Sequence, residues 1–156
     1  MSDPAFLKRI HGLAGLLALL CIGSFWLSTV LVELIGSSAA VARVKAMVLS
    51  PGLWILVFSL MATGASGALL ARARQGRLVA AKQRRMPVMA LNGLLVLVPC
   101  AWLLAQWATA GQFDARFYAV QALELLTGAV NLVLMGMNMR DGLRLSGRLR
   151  VRPSSV

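Results

Sequence analysis

Residues 13–35 read LAGLLALLCIGSFWLSTVLVELI, an apolar run with a single charge, Glu33, near its far end. A helix crossing about 30 Å of hydrocarbon needs roughly 20 mainly apolar residues, so this run is long enough to span a bilayer. It shows no period-2 alternation. Backbone groups in lipid must be satisfied within the segment or in a closed barrel, and the run therefore reads as a helix. Three further runs of this kind follow at about 52–70, 88–107 and 117–139. Ser50-Pro51 and Gly111-Gln112-Phe113-Asp114 punctuate the chain between them. The expected fold is all-α: an integral membrane four-helix bundle, up-down-up-down, forming one domain over residues 1–156.

Composition supports lipid as the solvent. Hydrophobic residues make up 59% of the chain and the mean hydropathy is +0.78, against about 45–50% apolar residues in a soluble domain. Sixteen Lys and Arg face five Asp and Glu, for a net charge of +11. Nearly all of them lie between or beyond the apolar runs, which describes basic membrane edges and not a nucleic-acid footprint.

Direction follows from those edges. Lys8 and Arg9 precede the first run. Arg72, Arg74, Arg77, Lys82, Arg84 and Arg85 fall in the basic loop 71–87, and Arg140, Arg144, Arg148, Arg150 and Arg152 in the tail 140–156. These share one side, against Arg43, Lys45 and Arg116 on the other. Basic residues stay inside, so both termini are expected in the cytoplasm, at a cell membrane and, from the wealth of Ala, Leu and Arg, a bacterial inner membrane. The bilayer is thus the first partner, with anionic lipid headgroups at the cytoplasmic face the second. The first run exceeds a signal-peptide core of about 7–15 residues and is expected to be retained. Between the first two runs, Ser38 is placed to cap a short helix over 39–47.

Small and polar residues mark packing faces in lipid. In the fourth run Gln121, Glu124, Gly128, Asn131, Met135 and Asn138 recur at steps of three and four, the rhythm of a helix seam. Asn92, Pro99 and Gln106 share a face of the third run, where Pro99 frees a backbone carbonyl. Ser59, Thr63 and Gly67 give the second run a small-residue face, and Gly12, Gly15, Gly23, Ser24 and Ser28 serve the first.

Glu124 is the residue that asks for a function. It lies seven residues into the fourth run, ~10 Å below the boundary at ~1.5 Å per residue. There an ionised carboxylate must be protonated, paired or wetted. Gln121, Asn131 and Arg116 are candidate partners. Glu33 sits near the same end and has Arg43, Lys45 or Arg116 to pair with. All four tryptophans and the one tyrosine also fall in this outer half. They form an interfacial belt or wall a cavity of Trp26, Trp54 and Trp102, with Glu124, Gln121 and Gln106 at its polar end. The expected ligand set is Glu124, Gln121, Asn131, Gln106, Glu33 and Trp26, for a small cation, a proton or an amphipathic molecule.

At the opposite end the opening Leu7-Lys8-Arg9-Ile10-His11-Gly12 resembles the first helix of four-helix cytochrome b561-like and copper-resistance-D-like membrane proteins. That resemblance implies histidines at helix ends holding haem or metal. Only His11 carries over, because the chain has no second histidine and cannot ligate haem through two of its own. His11 with Met86, Met89, Met137 or Met139 is the one metal-site candidate. Cys21 and Cys100 lie singly in apolar runs and form neither a disulfide framework nor a CxxC site. Nucleophile-elbow, phosphate-loop, zinc-protease and dinucleotide motifs are missing, and no carboxylate pair is evident in one site, so neither enzymatic activity nor a resident cofactor is expected. Asp141, among Arg140, Arg144 and the basic loop, reads as an ion pair locking helices together. The competing readings are a site centred on Glu124, served by a homodimer or larger membrane complex, and a structural or assembly subunit. A haem or copper electron carrier comes third.

Overall fold

The structure, a computed structural model, describes residues 4–72 and 76–146. Arg74, Arg148, Arg150 and Arg152 lie outside the described residues, as do the Arg72 side chain and the tail beyond Ser146. Every described element is helical: α1 (Pro4–Ile35), α2 (Ser38–Met47), α3 (Leu53–Arg72), α4 (Arg77–Leu91), α5 (Val98–Thr109) and α6 (Ala115–Leu145). Four stretches are long and apolar enough to cross a membrane: Ala5–Ile35, Ser38–Ala71, Arg77–Thr109 and Ala115–Leu145. The chain is therefore built as a multi-pass membrane protein would be.

Local chemistry sets the boundaries. Ser37 is extended at φ −89° and ψ 161°, and its hydroxyl accepts from the Ala40 N–H. It caps α2 one residue earlier than the sequence suggests, because the cap must be the last non-helical residue. Ser50 is also extended, at φ −147° and ψ 123°, and separates α2 from α3. The ring of Pro51 drives the preceding residue out of the helical region and supplies no N–H. Asp114 caps α6 with one carboxylate oxygen, accepting from the Arg116 and Phe117 N–H groups at 3.0 Å each.

The third membrane-length stretch, Arg77–Thr109, reaches further than its apolar run. The basic stretch expected as a loop is helical from Arg77, after Gly76 turns at φ 137°. Between α4 and α5 the chain widens into a π-type turn over Asn92–Leu97. Pro99, two residues beyond it, cannot donate to the carbonyl of Leu95; the wider turn lets the helix continue past that missing bond.

The burial pattern is inverted relative to a water-soluble domain. Leu13, Leu20, Leu27, Phe58, Leu94, Leu126 and Val133 are among many large apolar side chains left exposed. Thr29, Lys45, Ser59, Ser66, Gln121, Asn131 and Asp141 are buried. Apolar packing contributes two small clusters. Leu104 and Phe117 centre one, with Val41 of α2; Ala18, Ile22 and Met135 form the other.

Gly52 shows how tightly the α2–α3 corner meets α1. A Cβ there would lie 2.7 Å from Phe25 Cζ and 2.9 Å from the Met47 carbonyl oxygen. Gly52→Ala is expected to cost about 1–3 kcal/mol through overpacking, seen as a lower thermal midpoint in detergent. Gly64→Ala, with nothing within 4 Å of the new carbon, serves as the neutral control.

Candidate functional site

The α6 seam forms as its spacing predicts. Gln121, Gly128, Asn131 and Met135 are buried along one face, together with Phe117 and Asp141. Polar groupings lie on this face towards each end, with Asn131 between them.

At the end where α2 packs, Lys45 makes an ion pair with Glu124. The lysine side chain is 1% exposed and the glutamate 14%. Lys45 reaches this position because Val41, Lys45 and Val48 recur at i, i+4 and i+7 and all turn inward. It is therefore not a free charge flanking the helices, as its place between two apolar runs suggests. Arg43 and Arg116 are exposed there instead. Neither meets Glu124. The Arg43 Nε–H donates to its own helix, to the Ala39 carbonyl at 3.5 Å.

Glu33 belongs to the same neighbourhood. Lys45 lies within electrostatic reach of it, without an ion pair between them. Glu33 Oε1 is buried and has no hydrogen-bond partner among the described residues. Gln121, one helical turn before Glu124 and 4% exposed, has neither its amide oxygen nor its amide nitrogen satisfied. Buried polar atoms without partners are rare, and an ordered water or a ligand is the usual explanation. The buried Cys100 thiol also feels both Lys45 and Glu124. Lys45 thus pairs with Glu124 and lies within electrostatic reach of Glu33, whereas the order of residues along the chain suggests it as a partner of Glu33 only.

A cavity of about 70 Å³ opens beside Glu124, lined by Phe25, Trp26, Thr29, Leu56, Ala101 and Gly128 among others. One water needs about 10–15 Å³, so the space is of the size of a few waters, and its lining is mainly apolar. Trp26 anchors the wall by donating its indole N–H to the Leu125 carbonyl at 3.0 Å. Its ring packs at Gly128, where a Cβ would lie 3.3 Å from Cδ1. Trp54 and Trp102 were expected in that wall; they point away and are 63% and 51% exposed. Gln106 is likewise exposed and does not join Gln121.

The chain matches no family model, and no curated protein or solved structure matches it.

Deeper along α6, Asn131 accepts from Asn92 at 3.3 Å and donates to the Met89 carbonyl at 3.3 Å. It ties α6 to α4 and the wide turn and does not face Glu124. Near the C-terminal end of α6, Arg85 donates to Asp141 at 2.7 Å and to Asn138 Oδ1 at 3.4 Å, while Arg140 Nε lies 3.7 Å from Asp141. Asp141 does lock helices, with Arg85 as its main partner.

His11 is held by Ser66 Oγ at 3.1 Å and the Thr63 carbonyl at 3.0 Å, both facing its Nδ1. An N–H there donates to the carbonyl and leaves Nε2 as the ring's one remaining ligand atom. Gly67 makes room for the ring, with its hypothetical Cβ 3.0 Å from His11 Cε1. No group of three or more His, Cys, Asp or Glu able to hold a metal occurs among the described residues.

Proposed function

We propose that this chain is a non-enzymatic multi-pass membrane protein whose polar cluster of Glu33, Lys45, Gln121 and Glu124 binds and exchanges one small monovalent cation, in the first place a proton. The four spans run up-down-up-down with both termini cytoplasmic, as the distribution of Arg and Lys favours. The cluster then lies in the outer half, and a cell membrane, in particular a bacterial inner membrane, is the place for it.

The observation that carries this reading is the charge count around one buried ammonium. Lys45 pairs with Glu124 and lies within electrostatic reach of a second carboxyl group, Glu33. In a low-dielectric interior an uncompensated charge costs several kcal/mol, so a further positive charge is favoured, and a proton is the smallest that fits. The unpartnered Gln121 amide and Glu33 Oε1 offer it polar contacts, and a small, mainly apolar cavity adjoins Glu124. The size of that cavity argues against an amphipathic ligand.

The pairing of Glu124 with Lys45 also favours a second reading, in which the pair only fastens α2 to α6 in a structural or assembly subunit. Acid-minus-alkaline infrared difference spectra of the protein in lipid separate the two. The exchange reading predicts a carboxylic acid C=O band that changes with pH and is altered in both Glu33→Gln and Glu124→Gln. A spectrum in which no carboxyl band responds to pH, sodium or potassium leaves the structural reading standing.

A further inference from the structure

Helix α4 carries a feature that the Glu124 cluster does not use. Arg77, Arg84 and Arg85 line an open cleft of about 460 Å³ whose floor is Ala80 and Ala81. The spacing produces it: positions 77, 80, 81, 84 and 85 share one helix face, and the two alanines remove the bulk between the arginines. Arg85 is already held by Asp141 at 2.7 Å. Arg77 and Arg84 make no ion pair among the described residues. Two guanidinium groups with planar donor forks therefore line a cleft with a small-residue floor, which is the chemistry that recognises a phosphate.

What lies below the cleft says which phosphate. Along the same face one turn on come Val88 and then Leu91, both exposed, followed by exposed Leu94 and Leu95 in the wide turn. Basic side chains thus give way within about 6 Å, at ~1.5 Å per residue, to an unpartnered apolar strip. A free phosphate uses only the arginines. A molecule with an anionic phosphate head and an acyl chain uses both.

We propose that this face of α4 is a binding site for one phospholipid with an anionic headgroup, its phosphate between Arg77 and Arg84 and an acyl chain along Ala81, Val88 and Leu91. The inference rests on the membrane reading above and needs nothing from Glu124. It specifies a discrete site, whereas a general basic edge attracts lipid without order.

The test is native mass spectrometry of the full chain released from nanodiscs of phosphatidylcholine alone or an equal mixture with phosphatidylglycerol. The wild-type protein retains one phosphatidylglycerol in preference to phosphatidylcholine. The double variant Arg77→Ala/Arg84→Ala loses that preference by about thirtyfold, at roughly 1 kcal/mol for each basic residue near the surface. Arg43→Ala/Arg116→Ala, which removes two exposed arginines elsewhere, retains it. If the alanine pair fails to fold, Ala81→Glu keeps both arginines, places a carboxylate on the floor, and abolishes retention.

Equal retention of both lipids, or unchanged phosphatidylglycerol in the cleft variants, overturns the proposal. Displacement of the lipid by inorganic phosphate at matched concentration overturns it in favour of a simple anion site. A polypeptide that proves soluble without detergent overturns the membrane reading itself, an outcome distinct from a detergent-dependent protein that holds no lipid.

Discussion

Glu124→Leu is expected to destabilise the protein by about 3–5 kcal/mol, because it strands the Lys45 ammonium without its ion-pair partner. Lys45 is 1% exposed, so it cannot recover hydration without pulling α2 away from α5 and α6. Glu33, within electrostatic reach, takes over part of the compensation and sets the cost towards the lower figure. Lys45→Met/Glu124→Leu should recover most of the loss. A buried ion pair replaced as a unit by apolar side chains of similar volume is often neutral or better. Chemical unfolding in detergent of the two single variants and the double completes the cycle. A Glu124→Leu protein as stable as wild type would mean that the pair is not formed, and the charge count behind the exchange site would go with it. The double variant is also informative for function. A stable fold that has lost its pH-sensitive carboxyl band separates holding a proton from holding the helices.

The fold was legible in this sequence to the extent that lipid imposes a simple code. Runs of about 20 apolar residues place all four long helices, and steps of three and four place Gln121, Gly128, Asn131 and Met135 on the buried face of α6. The signal failed where charge and depth conflict. Lys45 lies in the short helix expected over 39–47, where its charge suggests an exposed position, yet Val41 and Lys45 form the buried face of α2 and Val48 continues it into the turn beyond. Val41 and Lys45, one helical turn apart, put the lysine on the face that Val41 buries, but its partner Glu124 comes from a distant helix. That distance also hides the shared position of Glu33 and Glu124, since only a third element, α2, brings a charge between them. Aromatic residues misled differently. Trp26, Trp54 and Trp102 all fall in the same half of their spans by sequence, but of the three Trp26 alone has a hydrogen-bond acceptor among the described residues, the Leu125 carbonyl. Depth can be read from sequence position; which side of the helix faces a neighbour needs the neighbour.

At the other end of α6, Asp141→Leu is expected to cost about 2–3 kcal/mol, less than Glu124→Leu because the groups it strands can reach water. Asp141 is 3% exposed, but its main partner Arg85 is 21% exposed and Arg140 53%. Lys82 is also within its electrostatic reach. Removing the carboxylate leaves three cations around one point with no described anion between them. The loss should be local. Asn92–Asn131 and Asn131–Met89 still tie the far end of α4 and the wide turn to α6, so hydrogen exchange should quicken in the first turns of α4 and not in α1 or α3. Raised ionic strength should restore part of the stability by screening the exposed arginines, whereas the effect at Glu124, buried and poorly screened, should persist. Uniform exchange behaviour along α4 would show that Asp141 does not hold this helix down, and the cleft between Arg77 and Arg84 would then lack the fixed edge that Arg85 gives it.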